Sequence, residues 1–250
     1  MTVALERDPE REIEYPDSDG QPMADNTLQF RWIVLIKENL EYLFLPQADV
    51  FVAGDLLWYP VEGRPDIRVA PDVMVAFGRP KGERGSYRQW QEGNIAPQVV
   101  FEILSPGNTT KEMSRKLLFY NRYGVDEYYI YDPDKNELTG LERQQGELLP
   151  IETIENWVSP RLGIRFELTA STLNLYDPQG NLFLTPVQIR QRAEYEAQRA
   201  DQEAQRAKLE AQRADQAMQQ AEYEAQRAEA EKARADRMAA KLQALGIDPN

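Results

Sequence analysis

Two apolar runs, RVAPDVMVAF at residues 68–77 and PQVVFEILSP at residues 97–106, each carry one carboxylate among strand-forming residues. Runs this rich in Val, Ile and Phe are typical of buried strands. A buried carboxylate is costly without a partner, so we expect Asp72 and Glu102 to bind a ligand or to take part in catalysis. A third candidate, Lys116, follows on a predicted helix.

The composition excludes several kinds of chemistry, because the 250 residues include no histidine and no cysteine. Catalysis by Ser-His-Asp or Cys-His groups, thiolate metal sites and disulfides are therefore impossible. The remaining oxygen ligands suit Mg²⁺ or Mn²⁺, whereas Zn²⁺ usually recruits imidazole or sulfur.

These residue types suit hydrolysis of a phosphodiester with the help of a metal ion. Asp72 and Glu102 would hold the ion, and Lys116 would orient the attacking water or offset charge in the transition state. A purely structural interpretation stays open at this point. In it Asp72 is a turn residue after Pro71, Glu102 pairs with a cation of the core, and Lys116 lies on the surface.

The surrounding pattern predicts an α+β fold. A helix is expected over about 27–44, capped by Asp25 or Asn26, and strand-like runs follow at 49–60, 67–78 and 98–105. A second helix should begin near Thr109 or Thr110 and end at Gly124. A strand at 127–133, a hairpin through 138–152 and a β section to Leu184 complete the domain. The strand–helix–strand spacing places Glu102 near the helix of Lys116.

The polar stretch GRPKGERGSYRQWQEGN at 78–94 mixes arginines and a lysine with Tyr87 and Trp90. Cations and aromatics on such a loop can contact a nucleic-acid backbone or stack on a base. The other interpretation, that the aromatics pack on the edge of the domain, is favoured.

The C-terminal segment repeats QRA at 191, 198, 205, 212 and 226, with alanine at both seam positions of a heptad. An alanine seam buries little area, and acidic residues flank it on both sides, so we expect a long self-supporting helix with Glu–Arg pairs three residues apart. The predicted organisation is a flexible arm at 1–22, a domain at 23–186, a coiled-coil-like helical tail at 187–245 and a flexible end at 246–250.

Four pieces of the sequence resemble the Uma-type family of small restriction endonucleases, within the PD-(D/E)xK nuclease superfamily. They are APDVMV (70–75), VVFEILSPGN (99–108), EMSRKLLFYNRYGVDEYYIYDP (112–133) and SPRLGIRF (159–166). The resemblance covers about 20–185. It implies a restriction-endonuclease-like fold, a mixed central β-sheet flanked by helices, with Asp72 and Glu102 as the two motif carboxylates.

The sequence departs from the superfamily pattern two residues after Glu102, where Leu104 stands in place of the usual lysine. The resemblance implies that Lys116 on the next helix replaces it, and Glu112, four residues earlier, can orient Lys116. The superfamily pattern also implies a supporting polar residue from the first helix, for which the candidates are Gln29, Glu38 and Glu41. Ser105 and Asn108 can bind phosphate or cap the helix, and capping is favoured.

The main hypothesis is a Mg²⁺- or Mn²⁺-dependent DNA endonuclease that acts in the cytoplasm, because no signal peptide or membrane span is evident. The net charge of −13, almost all of it in residues 1–186, argues against strong unspecific DNA binding. The alternative is a catalytically weak or inactive nuclease fold that acts as a scaffold through its helical tail. A homodimer through the globular domain and protein contacts of the tail are also open.

Overall fold

The computed structural model describes residues 13–18, 20 and 24–244, except the side chains of 242 and 243. Three α-helices, one 3₁₀ helix and ten strands follow one another along this part of the chain. In order, they are α1 (Thr27–Leu43), β1 (Val50–Gly54), β2 (Trp58–Tyr59), β3 (Val73–Phe77), β4 (Tyr87–Arg88), a 3₁₀ helix (Gln89–Glu92), β5 (Val99–Ile103), α2 (Thr110–Tyr123), β6 (Glu127–Asp132), β7 (Glu137–Gln144), β8 (Glu147–Pro150), β9 (Arg165–Leu168), β10 (Leu173–Tyr176) and α3 (Pro186–Ala244).

Helix α1 begins at a predicted capping residue, and α2 begins near Thr109 and ends at Gly124, as the sequence predicts. The Asn26 side chain accepts a hydrogen bond from the Gln29 N–H, and Thr109 accepts one from the Glu112 N–H. Gly124 ends α2 with a φ of +92°, a left-handed conformation that glycine adopts without steric cost.

The central sheet has six strands in the order β1-β3-β5-β6-β7-β8. Its one parallel pair is β5 and β6, which α2 connects as a crossover, and the other pairs are antiparallel. The predicted α+β fold with a mixed central sheet and a long C-terminal helix is therefore confirmed. The predicted hairpin is also present, because β7 and β8 are joined at Gln145 and Gly146, both of which have positive φ.

Alternate residues of the central strands enter two different cores. On one face α1 and the β9–β10 hairpin cover Val73, Val75 and Phe101. On the other face α2 and the short β2–β4 pair cover Met74 and Val100. Asp72 and Glu102 keep step with Met74 and Val100, so both belong to the face that α2 covers.

The predicted strand-like run at 49–60 is wrong as a single element. The chain leaves β1 at Asp55, where φ is +48°, and continues as β2 in a different, two-stranded sheet with β4. The Asp55 N–H bonds the carbonyls of Pro71 and Asp72, which fixes this bend beside the start of β3.

The contacts divide the chain into two compact units, Met1–Pro186 and Val187–Asn250. Most of the predicted arm at 1–22 lies outside the described residues, as do Leu245 and the predicted end at 246–250. Within the arm, the Tyr15 ring packs on Tyr59 and Trp90, with ring centroids 5.3 and 5.0 Å apart.

The described part of the second unit is a continuous helix whose described residues are nearly all exposed. Three of its arginines form ion pairs with the glutamate four residues later, at Arg192–Glu196, Arg199–Glu203 and Arg227–Glu231. This differs from the predicted three-residue spacing, and either spacing places the two side chains on one helical face. No helix in the described part of the chain has the length and apolar character needed to span a membrane.

Candidate active site

Strand register brings the two carboxylates together, although 30 positions separate them in the chain. In the antiparallel β3–β5 pair Val73 lies opposite Phe101, so one further step places Asp72 opposite Glu102. Side chains at directly opposed positions lie on the same face of a sheet. The site therefore forms where β3 begins and β5 ends.

The Asp72 carboxylate is 8% exposed and is held by the backbone of β5. Its Oδ2 accepts a hydrogen bond of 2.6 Å from the Ile103 N–H. This bond fixes the orientation of the carboxylate.

Glu102 is 2% exposed and contacts two residues of α2. Its Oε2 lies 2.7 Å from the Lys116 Nζ, and its Oε1 accepts a hydrogen bond from the Tyr120 hydroxyl. Lys116 and Tyr120 are four residues apart on one helical face, so α2 presents both donors to the same carboxylate. The Lys116 ammonium thus reaches Glu102 from α2, although Leu104 holds the position of the usual lysine.

The site contains two buried carboxyl groups and one ammonium, and burial is the largest single influence on the pKa of each. Burial, and then the charge of Glu102, raise the pKa of Asp72 from 3.8 to about 8. Burial also raises the pKa of Glu102, although Lys116 and Tyr120 act in the opposite direction. Burial would lower the pKa of Lys116, but Glu102 and Asp72 outweigh it and raise that pKa. Lys116 therefore stays charged, and among the described residues it is the cation whose charge lowers the pKa of both carboxyl groups.

The donor set fits a hard divalent cation. Mg²⁺ is commonly bound by one or two carboxylates and completes its shell with water and substrate phosphate. Among the described residues no group of three or more acidic, His or Cys side chains is placed to hold a metal. A divalent cation bound at this site would have Asp72 and Glu102 as its carboxylate ligands.

The structure distinguishes among the three α1 candidates for supporting roles. Gln29 is buried, and its Nε2 donates a hydrogen bond of 2.8 Å to the Ile103 carbonyl, next to Glu102 in β5. Glu38 and Glu41 instead contact Lys37 of their own helix. Of the three candidates, Gln29 is thus the one that contacts the end of β5.

The loop after β5 forms a small network of its own. The Ser105 hydroxyl contacts the Asp25 carboxylate, and the Ser105 N–H donates to Asn108 Oδ1 at 2.8 Å. Thr109, rather than Ser105 or Asn108, caps α2. The Glu112 carboxylate accepts a long 3.3 Å hydrogen bond from Asn108, and its negative charge helps to raise the pKa of Lys116. Glu112 therefore acts on Lys116 through its charge.

Sequence reasoning missed two neighbours of the carboxylates. Tyr120 belongs to the core on the α2 side of the sheet, and its hydroxyl binds Glu102. The available signal was its four-residue spacing from Lys116. Asp55, at the bend after β1, adds negative charge that contributes to the raised pKa of Asp72. No signal in the sequence marks Asp55, because its position depends on the strand order.

The polar stretch at 78–94 packs against the domain, as the favoured interpretation predicts. The Lys81 ammonium donates to the Val50 carbonyl at 3.0 Å, and Tyr87 is fully buried. Arg84 lies over the Phe51 ring and binds Glu92 at 2.6 Å. Lys81 and Arg84 therefore bind other groups of the same domain.

Comparison with known proteins places the chain in a family. A solved structure from Anabaena variabilis ATCC 29413, described as a putative nuclease belonging to DUF820, is 16% identical. The match covers 52% of this chain and 70% of that chain, with a TM-score of 0.37. A search of curated proteins found no match. The model of the Uma2 family, described as "Putative restriction endonuclease", matches residues 3–174. Because that match spans more than half of the sequence, the chain belongs to the Uma2 family of putative restriction endonucleases.

Proposed function

We propose that the protein is a divalent-metal-dependent endonuclease that hydrolyses phosphodiester bonds of DNA. Asp72 and Glu102 would hold Mg²⁺ or Mn²⁺, and Lys116 would assist the reaction. A bound divalent ion supplies charge to polarise the phosphate and lowers the pKa of water. Family membership supports a nuclease, and the site geometry supports this assignment of roles.

One observation carries the proposal: two opposed, buried carboxylates share a single ammonium, and the pKa of Asp72 is raised to about 8. Such a site favours the uptake of positive charge, and a divalent cation supplies it. A cation that binds here would displace the proton that Asp72 holds at neutral pH.

The groups of the site have two kinds of role: some orient the two carboxylates, and Lys116 donates hydrogen bonds. The Ile103 N–H and the Tyr120 hydroxyl fix one oxygen each of Asp72 and Glu102. An ammonium has three donors, and Glu102 accepts one from Lys116 at 2.7 Å. A further donor would bind a non-bridging phosphate oxygen or the attacking water, where it would offset charge developing in the transition state.

Metal titration tests the proposed ligands. We expect calorimetry to detect Mn²⁺ binding by the wild-type protein, and Asp72→Asn to lose it because one of two carboxylates is removed. Asp66→Asn, which changes an exposed aspartate, is the matched control and should bind like wild type. Absence of Mn²⁺ binding by the wild-type protein would refute the metal-dependent function.

Cleavage of plasmid DNA tests Lys116. Lys116→Met keeps much of the aliphatic length but removes the ammonium, so we expect cleavage to fall by about 100- to 1000-fold. Lys111→Met changes an exposed lysine on the same helix and should cleave normally. Circular dichroism would verify that both variants fold, and full activity of Lys116→Met would exclude its assigned role.

The alternative is a nuclease fold that acts as a scaffold without useful turnover. One observation favours it, because both oxygens of Glu102 already accept hydrogen bonds from α2. It predicts no Mn²⁺ binding and no cleavage by the wild-type protein, so the same two experiments decide between the functions.

A further inference from the structure

Tyr128 has the one buried side-chain nitrogen or oxygen without a hydrogen-bond partner in the part of the chain that the structure describes. The residue is fully buried. Most buried hydroxyls in folded proteins have a partner, and an unpaired one calls for an explanation. Phenylalanine would fill the same space without this cost, so packing alone does not explain the hydroxyl.

Strand register places Tyr128 beside the candidate active site. In the parallel β5–β6 pair Tyr128 lies opposite Val100, and Ile130 lies opposite Glu102. Side chains two residues apart share a face, so Tyr128 belongs to the face that carries Glu102. Its ring packs edge-on against Tyr120, with centroids 4.9 Å apart, and Tyr120 binds Glu102 directly.

The phenol of Tyr128 is a donor facing negative charge. Burial, and then the charges of Glu102, Asp72 and Glu112, raise its pKa, so the hydroxyl keeps its proton. A protonated hydroxyl on the sheet face that carries Glu102 is suited to donate towards the site. Buried water commonly connects such groups when they do not touch.

We propose that Tyr128 is a positioning residue of the candidate active site. Its hydroxyl donates to a buried water that also binds the Asp72–Glu102 pair, and this holds the pair ready for a divalent cation. The inference rests on the proposed metal-dependent function and adds to it a residue that does not touch the cation. Residues that orient metal ligands in this way typically contribute 10- to 100-fold to metal affinity.

Tyr128→Phe tests the inference in the full-length protein. We expect its affinity for Mn²⁺, measured by calorimetry, to fall by about 10-fold or more. The urea midpoint of the metal-free variant should equal or exceed that of wild type, since the change removes no hydrogen bond to another residue. A residue that only fills the core would leave the affinity for Mn²⁺ unchanged.

Tyr131→Phe is the matched control on the same strand. The Tyr131 hydroxyl donates to Asn136 Oδ1 at 3.0 Å and accepts from the Leu173 N–H, among residues packed on the opposite face of the sheet. This variant should lower the urea midpoint and leave Mn²⁺ affinity within about twofold of wild type.

The outcomes separate the two proposals. If wild type and Tyr128→Phe bind Mn²⁺ equally, the role of Tyr128 is overturned while the proposed function stands. If wild type binds no Mn²⁺, both are overturned. A high-resolution crystal structure gives a second measurement, independent of the variant's folding. An ordered water within hydrogen-bond distance of Tyr128 Oη and a site carboxylate supports the inference, and its absence contradicts it.

Discussion

Glu92 and the Asp72–Glu102 pair are both buried acidic groups, but they differ in the number of cations beside them. Glu92 lies between two guanidinium groups, with Arg84 at 2.6 Å and Arg79 at 2.8 Å. Asp72 and Glu102 share the single ammonium of Lys116. Burial is common to both regions, so it does not by itself identify a functional carboxylate.

The pKa values of Glu92 and Asp72 shift in opposite directions as a result. Burial alone would raise the pKa of Glu92, but hydrogen bonds from Arg84 and Arg79 outweigh it and hold the pKa below its ordinary value. At the other site one cation is insufficient, and the pKa of Asp72 rises to about 8. The balance of nearby charge therefore separates a structural cluster from a site that favours cation uptake.

The largest expected effect is the loss of DNA cleavage in Glu102→Gln. The change removes a proposed metal ligand, and we expect a decrease of at least about 100- to 1000-fold. Glu92→Gln should cleave within about fivefold of wild type at temperatures where it is folded. Plasmid nicking assays would measure both, and similar losses in the two variants would break the comparison.

The second effect is a dependence of stability on pH in the metal-free protein. Because the pKa of Asp72 is about 8 in the folded state and about 3.8 when unfolded, the folded state holds its proton longer. The contribution of Asp72 to stability should be greatest below pH 4 and should fall by about 1.4 kcal/mol per pH unit up to about pH 8. The raised pKa of Glu102 adds a slope of the same sign.

Urea denaturation across this pH range measures the slope. Asp72→Asn should flatten it, and Mn²⁺ should also flatten it in wild type, because bound cation favours the ionised carboxylate. Asp66→Asn should keep the slope, since Arg64 lowers the pKa of Asp66 and no titration of Asp66 falls within this window. A wild-type slope that persists in Asp72→Asn would assign the titration to another group.

The third effect is a loss of stability in Glu92→Gln. Removing the carboxylate leaves two largely buried guanidiniums without their partner, which should cost about 3 kcal/mol at pH 7. The lowered pKa of Glu92 means that the stabilisation is present above about pH 4.5 and is lost as pH falls through the folded pKa. The difference from wild type in urea denaturation should therefore shrink at pH 3, and an unchanged difference would argue against an ionic origin.

Local signals in the sequence predicted the helices well. The caps at Asn26 and Thr109 and the stop at Gly124 act within one turn, so neighbouring residues determine them. The break at Asp55 was missed because the change from β1 to β2 follows from which strands pair. Strand pairing depends on the whole sheet, so the residues of one segment do little to predict it.

The candidate site shows the same limit. The apolar residues around Asp72 and Glu102 predicted that both carboxylates are buried. That the two residues lie opposite each other depends on the register of β3 and β5. Whether Lys116 reaches Glu102 depends on how α2 packs. The assignment of Lys116 as the replacement lysine rested on the family resemblance. The contact of Tyr120 with Glu102 and the two arginines around Glu92 were not predicted, since tertiary contacts create both.

The smallest expected effect concerns the exposed pair Arg199–Glu203 on α3. Its side chains are 61% and 68% exposed, against 13% and 12% for Arg84 and Glu92. Glu203→Gln should change local helix stability by only about 0.3–0.5 kcal/mol, because water screens the pair. Hydrogen exchange of amides 199–207 would measure it, and the difference should vanish in high salt. An effect above about 1 kcal/mol exceeds what such an exposed pair provides, and it would show that Glu203 contacts a partner beyond its own helix.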